Sequence, residues 1–276
     1  MLIGVSSCLK ATQAGEEFNN QEFDTYLRYM PKTDADGVPG DIEVTEADLE
    51  YSYNPKIFNK LPVKLSLNNQ YIGINNSTAV ELPAHLISLV TDIETTFPFF
   101  KINKTYIRVG LSPSFYGDDW NFGSSDFRMP VRSYIIYLPD NRWTFLLGVA
   151  VYPDFEKEVL PVLGFIYKPN DKLIINMVPQ RPNISYLLND RTTLFLEGGG
   201  SFNSEFEVDK DDRKDVVLRY KESHLGAGVT YRLNHSTLSS FAVGGVFNRS
   251  LKYNDSLGKV NIKDGLYAEI RLRISI

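Results

Sequence analysis

The feature that most limits the possible folds of this chain is a repeated unit of about ten to fifteen residues, in which apolar and polar residues alternate before a turn. Such alternation is typical of β-strands, because successive side chains point to opposite faces of a sheet. Fourteen runs of this kind follow one another without an amphipathic helix pattern. They lie near 22–30, 42–53, 62–74, 84–98, 104–116, 126–138, 142–153, 158–168, 172–178, 182–188, 191–204, 214–233, 237–252 and 264–276.

The connections between the runs alternate between two kinds. Even-numbered runs are followed by short Asn/Asp turns, which favour tight hairpins, at 54–56, 102–105, 139–143, 169–172, 188–192 and 233–237. Odd-numbered runs are mostly followed by longer polar or glycine-rich links, at 31–41, 75–83, 117–126, 202–214 and 254–264, with short exceptions at 154–157 and 179–181. Outer-membrane barrels have this asymmetry, with short periplasmic turns and longer extracellular loops.

We therefore predict an all-β fold, a closed antiparallel up-and-down transmembrane β-barrel of about 14 strands over residues 22–276. Twelve strands is the alternative, since the runs at 172–178 and 182–188 are short and are joined by a link with two prolines. An even strand number places both termini in the periplasm. Bulges or strand ends are expected at Pro113, Pro130, Pro153 and Pro161, because proline removes a ladder donor.

The two faces of each run predict where its side chains point. In the last run, Leu266, Ala268, Ile270, Leu272, Ile274 and Ile276 alternate with Tyr267, Glu269, Arg271, Arg273 and Ser275. If the apolar side faces lipid, the charged side faces the lumen. Candidate lumen-facing residues are Arg108, Arg219, Arg232, Glu269, Arg271 and Arg273. They could line a pore and set its ion preference, or bind one another in a filled interior.

Aromatic residues concentrate near both ends of the runs, as expected for rings at the headgroup level of a bilayer. The candidate aromatic girdle at the short-turn end comprises Tyr53, Tyr106, Trp143, Tyr167, Tyr186 and Tyr231. The alternative is that aromatics simply terminate the strands of a soluble protein.

Composition and residue spacing exclude several classes of function. A net charge of -5 without a basic block excludes phosphate-backbone binding, so no nucleic-acid partner is expected. The chain has three histidines, and His85 and Ser88 point to opposite faces of one run, so a Ser-His nucleophile is not supported there. The acidic run 205–215 lacks the spacing of an EF-hand. No catalytic residue, cofactor or metal site is predicted, and the chain is not expected to be an enzyme.

The first 21 residues resemble the end of a secretory signal followed by a tail, with small residues at Ala11 and Ala14. Export is therefore expected. The stretch Val5–Cys8 also resembles a lipobox, in which Cys8 would carry lipid.

Several stretches together resemble an uncharacterised family of outer-membrane β-barrels, a domain of unknown function common in Bacteroidetes-type bacteria. They are PKTDADGVPGDIEV at 31–44, GLSPSFYGD at 110–118, SSDFRMP at 124–130, the passage 159–199 from VLPVLGF to LEGG, and the last strand. The resemblance covers about residues 22–276 and implies a fold and a bacterial outer-membrane location, without any catalytic or ligand residue. The terminal Ile276 departs from the aromatic residue that usually ends such barrels.

We thus expect an outer-membrane barrel for passive diffusion of small solutes, or with a structural role. Its expected partners are outer-membrane lipids, lipopolysaccharide and the barrel-assembly machinery. One alternative is a soluble periplasmic or secreted lipid-binding protein, whose apolar faces would point inward. The other is a barrel enzyme that modifies lipids.

Overall fold

The computed structural model describes residues 21–57, 61–100, 102–179, 181–201, 204–210, 213–254 and 258–276. The signal-peptide and Cys8 predictions lie outside these residues. Among the described residues there is no helix long and apolar enough to span a bilayer.

The described residues form a ring of 14 strands, as the sequence predicts, and Lys56–Ile57 adds a short strand that pairs with Leu61 and Pro62. Ten are continuous: β1 Gln21–Asp36, β2 Asp41–Tyr53, β3 Leu61–Asn76, β4 His85–Pro98, β7 Trp143–Val151, β8 Val159–Tyr167, β9 Leu173–Asn176, β10 Asn183–Asn189, β12 Arg213–Arg232 and β13 Thr237–Tyr253. Four consist of two segments: β5 Thr105–Leu111 and Ser114–Gly117, β6 Phe127–Arg128 and Val131–Tyr137, β11 Thr192–Gly200 and Ser204–Lys210, and β14 Lys259–Ile262 and Gly265–Ser275. Pro113 and Pro130 lie in the interruptions of β5 and β6, and Pro153 follows the end of β7, as expected for residues that lack a ladder donor. The expectation is wrong for Pro161, which lies inside β8 opposite Val149 without a register shift.

The strands form one antiparallel ring. Each strand pairs with its neighbours in the chain, and β1 closes the ring because Glu22 lies opposite Ser52 of β2 on one side and Ser275 of β14 on the other. One of several register shifts in the described ladders lies where Lys221 and Ser223 of β12 face Ser250 and Phe247 of β13. The extra residues on β13 include Asn248, whose positive φ of 54° suits a bulge.

The outer face of the ring is apolar and the inner face carries charge. On β14, Leu266 is 70% exposed and Ile270 is 55% exposed, whereas Tyr267 and Glu269 are buried. The same alternation places Leu49 and Tyr51 of β2 outside and Glu50 inside. This arrangement is that of a membrane barrel, since a soluble lipid-binding barrel would bury the apolar face.

The exposed apolar face gives a first testable prediction. Leu147 lies at the centre of β7 with its side chain exposed. We expect Leu147→Arg to lower the free energy of unfolding in lipid vesicles by about 2–4 kcal/mol, because an arginine there would face hydrocarbon. Urea titration of the reconstituted barrel measures the loss. As a control, Leu233→Arg alters an exposed residue at the short-turn end and should cost at most about 1 kcal/mol, and equal costs at both sites would contradict a lipid-facing β7.

The interior is layered along the barrel axis. The half nearest the long links contains a large apolar cluster, which includes Met30, Ile42, Ile72, Leu86 and Leu218. A second, smaller cluster lines β6 to β8, with Tyr134, Leu146, Val162, Ile166 and Val178 among its members. Buried charged residues project inward from β1, β2, β4, β5, β6 and β11 to β14.

The barrel wall differs in height around the ring. β1 to β4 and β11 to β13 are long, whereas β7 to β10 have between four and nine residues. The end of the β11–β12 hairpin (the cap hairpin, residues 204–220, described at 204–210 and 213–220) extends across the mouth. Glu207 of the cap hairpin pairs in parallel with Gly117 of β5, which is far away in the ring. The cap hairpin therefore covers part of the opening at the long-link end.

The ladder is interrupted on one side of β8. All nine residues of β8 pair with β7, but in the described part of the chain only Ile166 and Tyr167 pair with β9. The segment after β9 turns inward, so that Val178 is buried against Gly164 of β8. A Cβ atom at Gly164 would lie only 2.9 Å from the Cα atom of Val178. The side chains of Val159 and Leu163 on this edge remain exposed.

Candidate functional site

The centre of the interior is built around one buried arginine. Arg28 of β1 donates from Nη1 to Glu46 Oε2 of β2 and to Glu222 Oε1 of β12, each at 3.2 Å. Its Nε and Nη2 donate to Glu269 Oε2 of β14 at 3.0 Å and 2.7 Å. Since β13 and β14 lie between β12 and β1 in the ring, the contact between Arg28 and Glu222 joins strands that are not hydrogen-bonded neighbours.

A tyrosine hydroxyl, an imidazole and a tyrosine ring complete this centre, which we call the Arg28 network (Arg28, Glu46, Tyr220, Glu222, His224 and Glu269). The Tyr220 hydroxyl lies 2.7 Å from Glu222 Oε2 and 3.1 Å from Glu46 Oε1, and it can donate to either one. His224 lies beside the guanidinium, with ring nitrogens 3.4 Å and 3.5 Å from Nη2 and Nη1. The Tyr267 ring lies under the guanidinium carbon at 5.1 Å, a favourable cation–π geometry.

Period-two spacing explains how β2 contributes several acids to the interior. Glu46, Asp48 and Glu50 alternate with outward residues, so all three carboxylates are buried on one face. Lys64 Nζ of β3 donates to Glu50 Oε1 at 3.1 Å, and Asn68 Nδ2 donates to Asp48 Oδ2 at 2.9 Å. The prediction of lumen residues from sequence omitted Arg28 and these acids, although the alternation of acidic and apolar residues in EADLEY at 46–51 was a usable signal.

A second buried ion cluster joins β4 and β6. Arg132 Nη2 lies 2.6 Å from Asp92 Oδ1 and 2.9 Å from Glu94 Oε1. Ser112 Oγ also donates to Asp92. Two carboxylates around one guanidinium hold the inner faces of β4 and β6 together across β5.

At the short-turn end the charged groups become accessible. Arg273 donates to Asp24 Oδ2, with the Nη2 contact at 2.5 Å, and its Nε lies 3.4 Å from Glu22 Oε1. Arg271 Nη2 donates to Glu269 Oε1 at 2.6 Å. Arg181, which precedes β10, reaches Glu269 of β14 at 3.4 Å, so side chains from opposite parts of the wall meet inside.

At the long-link end the cap hairpin closes the interior by ring and ion contacts. Phe206 lies with its ring centroid 5.9 Å from that of Tyr116 on β5. Glu207 Oε1 accepts a bond from Arg128 Nη2 of β6 at 2.5 Å. In the link after β5, burial raises the pKa of the Asp118 carboxyl above its usual value, and the nearby charges of Asp119 and Asp209 raise it further.

The structure places the six candidate lumen residues in three environments. Glu269, Arg271 and Arg273 belong to the interior ion pairs described above, and Arg108 is buried, with Nε donating to Thr96 Oγ1 at 3.1 Å. Arg232 is exposed at the short-turn rim. Arg219 lies on the face of the cap hairpin opposite to Leu218 and Tyr220, where it pairs with Glu205 and Glu156.

The candidate girdle residues lie near the short-turn ends of their strands. Tyr53, Tyr186 and Tyr231 have exposed side chains. Trp143 and Tyr167 face each other across β7 and β8 with ring centroids 4.1 Å apart. Tyr106 instead packs against the apolar cluster inside β6 to β8, because it shares its face of β5 with buried Arg108.

Two of the three histidines have aromatic or ionic neighbours. His85 stacks on Tyr71 with ring centroids 5.6 Å apart, and His224 belongs to the Arg28 network. Among the described residues no group of three or more His, Cys, Asp or Glu side chains is arranged to hold a metal ion.

Comparison with solved structures supports the barrel assignment. An outer-membrane channel from Pseudomonas putida F1 superposes with a TM-score of 0.51 at 10% sequence identity, over 95% of this chain and 99% of that one. A deletion mutant of the TodX monoaromatic hydrocarbon channel superposes with a TM-score of 0.50 at 9% identity, over 93% of this chain and 91% of that one. At such identity the likeness establishes the fold alone.

No protein-family model and no curated protein matches the sequence. The specific family suggested by the sequence resemblance therefore stays a prediction.

Proposed function

We propose that the chain is an outer-membrane channel for small polar solutes, and that the cap hairpin and the Arg28 network close it in this conformation. The observation that carries the proposal is the inner face, which bears charged side chains at successive levels while the outer face is apolar. A barrel of this size that served only as a membrane anchor would need no charged funnel leading inward.

The funnel begins at the short-turn end. The exposed fraction of the side chain falls from 27% at Arg273 to 13% at Arg271 and 6% at Arg28. Both signs of charge occur along it, because Glu22, Asp24 and Glu269 accompany the arginines. Such a lining suits hydrated ions and small polar solutes, whose own hydration it can replace.

The other candidate function is structural, and the contacts that cross the interior favour it. Arg181 meets Glu269, and Phe206 meets Tyr116. Conductance of the purified protein in planar bilayers distinguishes the two functions. For a channel we expect discrete openings whose conductance rises with salt concentration. A membrane that shows no current steps at any voltage would contradict the channel function and leave the structural role.

The charges of the funnel should set the ion preference. Arg273→Gln removes the most exposed of the three funnel arginines and leaves Glu22 and Asp24 without this partner. Under a KCl gradient we expect the reversal potential to shift toward the value for potassium, because the local charge becomes negative. Arg191→Gln, at an exposed short turn, is the matched control and should leave the reversal potential unchanged. An identical reversal potential in all three proteins would show that ions do not pass Arg273.

The similarity to channels rather than enzymes agrees with this function. We propose an outer-membrane location on the same grounds, with the long links outside and the short turns in the periplasm. Absence of enzymatic activity and insertion by the barrel-assembly machinery remain predictions.

A further inference from the structure

The outer surface of β12, β13 and β14 carries a row of cations at the long-link end. Lys252 of β13 lies directly opposite Arg219 of β12 on one side and Lys259 of β14 on the other. Lys221 lies one level closer to the apolar part of the wall, opposite Ser250. Lys221, Lys252 and Lys259 are all exposed.

This arrangement is electrostatically unbalanced. Like charges directly opposite each other on neighbouring strands destabilise a sheet. Arg219 is compensated by Glu156 Oε2 at 2.8 Å and Glu205 Oε1 at 2.9 Å. Lys221, Lys252 and Lys259 have no ion-pair partner among the described residues.

Two open grooves run between these cations, and we call them together with the lysines the cationic surface. The upper groove, of about 460 Å³, is lined by residues that include Glu156, Arg219, Lys252 and Lys259. The lower groove, of about 730 Å³, is lined by residues that include Lys221, Lys259, Lys263, Asp36 and Asp264. Asp36 and Asp264 offset part of the positive charge of the lower groove, and Lys263 is paired with Asp34 at 3.0 Å. Ammonium and amide donors so placed suit an anion with several oxygen acceptors.

The position of the cationic surface indicates where that anion comes from. Directly below it on the same three strands lie the exposed apolar residues Leu225, Phe247 and Leu266. Lys221 precedes Leu225 by four residues, which is about 13 Å along a strand. A lipid whose acyl chains lie against the apolar residues would therefore present its headgroup at the level of the lysines.

We propose that the cationic surface binds the phosphate groups of the outer-leaflet glycolipid, lipopolysaccharide. Charge complementarity and continuity with the lipid-facing wall favour a lipid over a soluble anion, because the grooves open on the outside of the barrel. This inference rests on the membrane location and orientation and not on solute passage, so it can fail or hold independently of the conductance result.

The test uses the full chain in nanodiscs of phosphatidylcholine, with and without bisphosphorylated lipid A, and measures the lipid's apparent affinity from the rise in the unfolding midpoint. Lys221→Gln, Lys252→Gln and Lys259→Gln are combined in one variant. We expect its affinity to be roughly 100-fold weaker than that of the unaltered chain, since each of the three lysines near a membrane surface contributes about a factor of five. The control combines Arg142→Gln, Lys172→Gln and Arg191→Gln, which remove the same charge at exposed short turns.

Three results would overturn the proposal. The first is equal affinity of the lysine variant and the unaltered chain. The second is equal stabilisation by lipid A and by its dephosphorylated form, which would assign the effect to the acyl chains. The third is an equal effect of inorganic pyrophosphate in plain phosphatidylcholine nanodiscs, which would make the ligand a soluble anion. Loss of affinity in the lysine variant alone, weakened by added salt, supports the proposal.

Discussion

Arg28→Met is expected to lower the free energy of unfolding by about 3–5 kcal/mol, the usual consequence of removing one partner from a buried ion pair. The change leaves Glu46, Glu222 and Glu269 buried without the cation that they share. Methionine fills a similar volume, so the loss reports on charge more than on packing. Urea unfolding of the barrel in vesicles, followed by tryptophan fluorescence, measures it.

Two further variants make this result interpretable. Arg142→Met changes an exposed arginine at a short turn and should alter the free energy of unfolding by no more than about 0.5 kcal/mol. Adding Glu222→Gln to Arg28→Met removes one of the stranded carboxylates and should recover part of the loss. A loss of less than about 1 kcal/mol in the free energy of unfolding of Arg28→Met would show that water hydrates the three carboxylates and that they do not depend on Arg28.

Shortening the cap hairpin should open the barrel. Ser204 and Tyr220 pair with each other, so replacement of residues 205–219 by Asn-Gly closes the hairpin with a two-residue turn and retains Tyr220 and Glu222. The change removes Phe206, Glu207 and Leu218 from the mouth. We expect single-channel conductance to rise by roughly tenfold or more, because a wide barrel freed of its interior filling holds an aqueous channel.

Changing Asp190–Arg191 to Asn-Gly at the opposite end is the control and should not alter conductance. Migration of unheated and heated samples on a gel verifies that both variants remain folded barrels. An unchanged conductance in a folded, shortened variant would place the barrier below the cap hairpin, at the Arg28 network. The shortened variant therefore tests the cap hairpin as the first barrier and, if conductance stays unchanged, points to the Arg28 network as the second.

The fold was predictable because the sequence patterns that define its strands and turns involve only residues close together in the chain. Alternation of side chains and the contrast between Asn/Asp turns and long links depend on neighbouring residues, and they identified all 14 strands and the ring. The short strands β9 and β10, for which twelve strands remained the alternative, form a true hairpin in which Leu173 pairs with Tyr186.

The interior was less predictable because it depends on register between distant strands. Arg28 meets Glu222 only because β12 and β1 curve into one wall, and no local pattern encodes a contact over 194 residues. The assignment of both Arg219 and Arg232 to the lumen was internally inconsistent, since positions that differ by an odd number point to opposite faces of an uninterrupted strand. Tyr106 and Arg108 differ by two positions and therefore lie on the same face of β5. The sequence-based predictions nevertheless place Tyr106 in the lipid-facing girdle and Arg108 in the lumen.

The interrupted ladder beside β8 has a mechanical consequence. In the described part of the chain, residues Val159 to Leu163 of this strand pair with β7 alone, and Pro161 lies within that stretch. Peptide groups without partners are poorly tolerated in hydrocarbon, so this part of the wall gains from any water or side chain that reaches it. The ring is consequently stiff where the long strands pair along their full length and more easily deformed at the gap between β8 and β9. Thermal fluctuations of the barrel should therefore widen this gap while the half built from long strands stays nearly rigid.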